Sequence, residues 1–104
     1  MKDPALNPVH PGKILLEDFL KPLGISRCRL ANDLHVPLRR VNEIVLERRG
    51  ISVDTALRLA SYFNTTPQFW LNLQSRYELD TVRLACAKTI EKTIQPAARL
   101  AGVA

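Results

Sequence analysis

The sequence predicts an all-α domain of five or six short helices. Three observations predict it. Apolar residues recur at three- and four-residue steps in every longer segment. No segment alternates at period two, which leaves no room for strands beyond a short N-terminal piece. Proline, glycine and Ser/Thr cap residues divide the chain into pieces of helical length.

Met1 to Pro11 is Pro-rich and reads as an extended N-terminal arm (1–11). Pro11 suits the first turn of a helix. From Gly12 to Leu20, the residues Leu15, Leu16, Phe19 and Leu20 share one face, and Pro22 with Gly24 is expected to end this helix. Ser26 reads as the N-cap of a second helix with Leu30, Ala31 and Leu34 inward. Pro37 starts a third, with Val41, Ile44 and Val45 inward, broken at Arg48-Arg49-Gly50. Ser52 caps a fourth, with Ala56, Leu57, Ala60 and Phe63 expected inward and Asn64 as its stop. Thr66-Pro67 is a further start, with Trp70, Leu73 and Tyr77 on one face. A separate tail helix is expected from Leu79 to Ile94, with Val82, Cys86, Ile90 and Ile94 in a stripe and Pro96 as its stop. An isolated helix of that length is marginal in water, so the stripe docks on its own domain or on a second chain. The expected organisation is an arm (1–11), a helical domain (12–78) and a C-terminal helix and tail (79–104).

Composition narrows the function. A chain of 104 residues, 46% hydrophobic and 24% charged, is an ordinary single globular domain. Fifteen Lys and Arg against ten Asp and Glu give +5, which favours an anionic partner. No apolar run approaches a bilayer span, and Met1-Lys2-Asp3-Pro4 is no signal peptide. Cys28 and Cys86 form no CxxC, and His10 and His35 lie far apart, so metal-ligand spacing is absent. The cysteines read as buried or half-buried apolar residues of a protein in a reducing cytoplasm. No carboxylate pair, Cys–His set or Gly-rich phosphate loop is present, so neither an enzyme nor a cofactor is expected. His10 reads as a capping or surface residue. Trp70 reads as core or dimer seam.

The informative stretch is Ser26 to Leu46. Two helices of about eight residues joined at His35-Val36 cross steeply through small residues. Ala31, Val36, Val41 and Ile44 have the spacing of a helix-turn-helix core. The turn position held by His35 is usually Gly, because the backbone there takes positive φ; His is among the less unfavourable substitutes. On the third helix, Arg39, Glu43 and Leu46 then point outward, Asn42 and Arg40 flank them, and Leu38 lies at the border. Arg pairs bidentately with guanine and Asn with adenine, so Leu38, Arg39, Arg40, Asn42 and Glu43 form a base-reading face. Glu43 accepts from cytosine or orients Arg39 or Arg40. Arg27, Arg29, Arg48 and Arg49 are placed for phosphates. Residues 27–49 hold six Arg and three acidic residues, +3 of the total +5. A solvated face of ion pairs is the competing explanation for that charge.

HPGKILLEDFLKPLGIS (10–26), LRRVNEIV (38–45) and RRGISVDTALRLASYFNTTPQFWLNLQSRYEL (48–79) together resemble the HigA-type antitoxins, including virulence-associated protein I, of the Xre/Cro-like helix-turn-helix class. The resemblance covers His10 to about Leu79. It implies a lambda-repressor-like fold and a homodimer that binds a palindromic double-stranded DNA operator in its own promoter. It also implies a small basic mRNA-endonuclease toxin of the HigB/RelE kind as partner. A solitary regulator of the same fold, and a helical module docking on an acidic protein, are the alternatives. An adjacent toxin gene separates the first from a solitary regulator, and binding to upstream DNA disposes of the third.

Overall fold

The computed structural model describes residues 7–97. Five helices follow one another, with no strand among the described residues. Helix α1 covers 11–23 as three consecutive stretches: Pro11–Ile14 α-helical, Leu15–Leu20 π-helical and Lys21–Leu23 α-helical. Then come α2 (Arg27–Leu34), α3 (Leu38–Val45), α4 (Val53–Phe63) and α5 (Pro67–Thr93). Of the expected N-terminal arm, residues 1–6 lie outside the described residues, as does the tail from 98 onward.

Three of the starts are capped by a hydroxyl side chain, while that of α3, at Pro37, has no side-chain cap. The oxygens of Ser26, Ser52 and Thr66 accept from the backbone N–H of Arg29, Thr55 and Phe69. Each bond satisfies one of the donors a helix start leaves unpaired. Each of the first four helices is followed by a residue in left-handed geometry: Gly24 (φ 65°), His35 (φ 58°), Glu47 (φ 63°) and Asn64 (φ 55°). The N–H of the next residue then reaches back five positions, as in Val36 to Ala31 (3.0 Å) and Arg48 to Glu43 (2.8 Å). This closure fixes the angle at which the chain leaves each helix.

Three expectations are corrected here. Pro22 does not end α1. It has no N–H to give to Asp18, and its ring would press on that turn of a regular helix. The helix widens instead: Lys21 donates to the Leu16 carbonyl, five residues back, and the chain stays helical to Leu23. Leu57 is not inward; it is 53% exposed, while Leu59 and Thr55 take the inner face of α4. Burial of Thr55 is tolerated because its hydroxyl meets that of Ser52 at 3.1 Å. The helices expected to start at Thr66-Pro67 and at Leu79 are one continuous helix, α5.

The core lies where these helices meet. Leu15 and Leu20 of α1, Leu30, Ala31 and Leu34 of α2, Val41 and Ile44 of α3, Ala56 and Leu59 of α4 and Trp70 of α5 are all buried. Trp70 is fully buried. Its Nε1 donates to Thr65 Oγ1 at 2.7 Å, and its ring lies 4.9 Å from that of Phe19. It belongs to the core of its own chain. Both cysteines are exposed, contrary to expectation. Cys28 lies on the outer side of α2, and Cys86 on the part of α5 that lies beyond the core.

His10 is the N-cap of α1 and is buried, not a surface residue. Its Nδ1 accepts from the Gly12 N–H at 2.9 Å, and its ring meets Tyr77 of α5 edge-on at 4.8 Å. Burial lowers its pKa, and the smaller pull of Glu47 opposes the shift. The unfolded chain therefore binds a proton at a pH where the folded one does not. Stability should be flat above about pH 6.5, the unfolded His value, and should fall as pH drops below it, levelling off once folded His10 is also protonated. The carboxylates of Glu43 and Asp54, both held low, act only in a more acidic range. Urea melts between pH 8 and 5 check this; a profile with the same slope in His10→Gln would contradict it.

Candidate nucleic-acid interface

The helix-turn-helix is α2, the His35-Val36 turn and α3. Ala31, Val41 and Ile44 are buried, and Val36 is half-buried against the same core. Val36 sits there because His35 accepts left-handed geometry and turns the chain toward Pro37. With that side of α3 sealed, its other side faces outward. Leu38 and Arg39 are exposed, and Asn42 is half-buried beside them.

Arg39 projects into solvent, its side chain 83% exposed. Its Nε contacts Glu43 Oε2 at 3.2 Å, one turn along the helix. The other oxygen, Oε1, receives Arg49 Nη2 at 2.7 Å and Nε at 2.9 Å. Glu43 thus ties α3 to the loop after it. Hydrogen bonds from Arg49 first, then Arg39, hold its carboxyl below the usual range.

Arg40 lies on the other border of α3. Its Nη1 donates to Asp54 Oδ2 at 2.8 Å, which draws it toward α4. The same oxygen receives Arg58 Nε at 3.0 Å, and Arg58 Nη1 donates to the Leu34 carbonyl at 2.8 Å. Bonds from Arg58 first, then Arg40, hold Asp54 below the usual carboxylate range. This chain joins the end of α2, α3 and α4 at one point. The sequence reasoning missed Asp54 and Arg58. Their i,i+4 spacing was a local signal, but the reach to Arg40 and Leu34 was not visible from spacing.

The four candidate phosphate arginines lie before and after α3 in the chain. Arg27 and Arg29 open α2; Arg29 Nε lies 3.5 Å from Asp33, whose carboxylate also accepts from Tyr62 Oη at 2.6 Å. That bond raises the Tyr62 pKa. Arg48 and Arg49 follow α3, both exposed. Among the described residues Arg48 makes no ion pair. The loop carrying them is pinned from α5. Gln74 Oε1 accepts from the Ile51 N–H at 2.8 Å, and its amide covers Gly50 so closely that a Cβ there would lie 2.7 Å from it.

The chemistry available is therefore donation from guanidinium groups and an amide on an arginine-rich surface. Among the described residues, no three His, Cys, Asp or Glu side chains converge to hold a metal ion. No helix among them is long and apolar enough to cross a membrane.

No family model matches the chain. It is 56% identical over 71 residues to virulence-associated protein I of Dichelobacter nodosus, covering 68% of this chain and 66% of that protein. It is 32% identical over 79 residues to antitoxin HigA-1 of Vibrio cholerae, covering 76% of this chain and 74% of that one. Its fold superposes on the solved structure of Pseudomonas aeruginosa antitoxin HigA with the higBA promoter at a TM-score of 0.84 and 50% identity, covering 88% of this chain and 99% of that chain. Joined to the helix-turn-helix geometry, these likenesses show that the chain belongs to the HigA-type antitoxin family of helix-turn-helix DNA-binding proteins.

Proposed function

We propose that this chain binds a palindromic operator in its own promoter as a homodimer. By that binding it represses its operon, and it neutralises a HigB/RelE-like mRNA-endonuclease toxin. It acts in the cytoplasm by binding, without catalysis. Leu38, Arg39, Arg40, Asn42 and Glu43 read base edges, and Arg27, Arg29, Arg48 and Arg49 hold phosphates. The toxin follows from the family; the DNA contacts rest on geometry. The observation that carries them is the outward side of α3, with Arg39 83% exposed and arginines at both flanks. Phosphate contacts set register, and the few side chains that enter the groove set sequence. In this reading Glu43 serves both arginines it touches, and Arg40 meets DNA from its post beside Asp54.

The test is titration against the DNA upstream of the gene and against a scrambled duplex. Arg48→Ala should weaken binding to both and reduce the slope of log K against log salt by about one, because one counterion-releasing contact is lost. An unaltered slope would remove Arg48 from the interface, and equal affinity of wild type for both duplexes would refute sequence-specific binding.

A further inference from the structure

Arg39 and Arg40 are neighbours on α3 and are held in opposite ways. Glu43 takes Arg39 by its Nε at 3.2 Å and leaves the tip of the side chain in solvent. Asp54 takes Arg40 by the tip: Nη1 donates to Oδ2 at 2.8 Å, and the side chain is only 29% exposed. Among the described residues Asp54 is the one side-chain partner of Arg40. The guanidinium is a rigid planar fork of five donors. With Nη1 turned to Asp54, the edge formed by Nε and Nη2 is left over. Two parallel donors on one edge match the O6 and N7 acceptors of guanine.

Asp54 is itself held from two sides. It lies in the first turn of α4, where the helix N-terminus favours a carboxylate. Its Oδ2 also receives Arg58 Nε at 3.0 Å, and Arg58 Nη1 donates to the Leu34 carbonyl at 2.8 Å. Leu34 is the last residue of α2, and a carbonyl there has no partner within its own helix. The position of the carboxylate is thus referred to α4 and, through Arg58, to the turn that launches α3. The Asp54 side chain is 55% exposed, and ion pairs that exposed add little to stability. What a fixed carboxylate does change is the number of poses open to the Arg40 tip, and fewer poses lower the entropy lost on binding. The same negative charge, half in solvent beside the reading side of α3, repels phosphate on any duplex.

We infer that Asp54, braced by Arg58, is a positioning residue that holds the Arg40 guanidinium in the pose that reads a guanine. The inference rests on the base-reading role proposed above for Arg40 and deepens it by naming what sets that side chain's specificity. Asp54→Ala should lower the discrimination between guanine and other bases at the position read by Arg40 about fivefold, part of what one bidentate contact supplies. Affinity for a scrambled duplex should rise about twofold, because a repelling charge is gone. A residue that only stabilised the fold would move both affinities down together.

The experiment titrates the full chain against the DNA upstream of its gene, against that duplex with single base pairs exchanged, and against a scrambled duplex. Arg40→Ala first locates the position whose discrimination depends on Arg40. Asp54→Ala should lose discrimination at that same position and keep it elsewhere, and in the Arg40→Ala background it should change discrimination nowhere. Asp54→Asn, which keeps the shape and an acceptor oxygen but not the charge, should fall between wild type and Asp54→Ala. An unchanged far-ultraviolet helical signal shows that each variant is folded. Asp54→Ala and Asp54→Asn with wild-type discrimination, or with specific and scrambled affinities lowered alike, would overturn the positioning role and leave Arg40 as a reader. Arg40→Ala with wild-type discrimination at every position would instead remove Arg40 from the reading face, and the positioning role with it.

Discussion

Trp70→Ala should lower stability by about 3–5 kcal/mol, the range for truncating a buried Trp. The indole is fully buried, and it is where α1, α4 and α5 meet. Phe19 of α1 lies 4.9 Å from it, Phe63 of α4 at 6.2 Å, and Thr65 accepts its N–H. Truncation empties that space and leaves the Thr65 hydroxyl without its donor. Against a total of about 5–15 kcal/mol for a typical domain, most of the margin would go. Urea denaturation measures it, and a loss under about 1 kcal/mol would show that the cavity collapses or that the packing is looser than the structure has it.

Gly12→Ala should cost about 3 kcal/mol, near the upper end for overpacking. A Cβ there would lie 1.8 Å from the carbonyl oxygen of Ile44 and 2.8 Å from its carbon. Both are backbone atoms near the end of α3, so no side chain can swing aside. Relief requires α1 and α3 to separate, and α3 carries the face proposed to read bases. The same variant should therefore lose operator affinity beyond its loss of stability, at a temperature where it is still folded. A melting temperature equal to wild type would mean that the two helices do not touch at this point.

The local grammar of the fold was legible. Ser26, Ser52 and Thr66 are short oxygen side chains before apolar runs, and each caps as expected. The helix-turn-helix spacing was legible too, because Ala31, Val36, Val41 and Ile44 answer to one core. His35 hides the turn only partly: it takes left-handed geometry without glycine. Glu47 gives no signal for the same geometry. Pro22 misleads because a proline's usual effect assumes a regular helix, and a π-helical stretch changes the spacing of the carbonyls beneath it. Leu57 misleads because α4 offers two adjacent stripes of similar apolarity. Hydropathy prefers the one with Leu57, while burial goes to the one whose polar member, Thr55, has a hydrogen-bond partner. The supposed break at Leu79 was a change of phase in the apolar pattern. That change marks where the helix face turned to the core gives way to exposed residues.

On α3, helical angle alone put Arg39, Glu43 and Leu46 outward with Asn42 and Arg40 flanking them; Arg39 and Leu46 are exposed there, and Arg40, Asn42 and Glu43 are half-buried. It could not place Arg40 beside Asp54 or Arg49 on Glu43, because both pairs join separate elements. These ties decide which guanidinium groups extend into solvent and which brace the helices.

Base discrimination by Arg39 is the most direct measure of the account. Arg39→Ala should weaken binding to the operator by about 1–3 kcal/mol while binding to a scrambled duplex changes far less, so the ratio of the two affinities falls. An unchanged ratio, with both affinities lowered alike, would make Arg39 a phosphate contact and would contradict the claim that this side of α3 reads sequence.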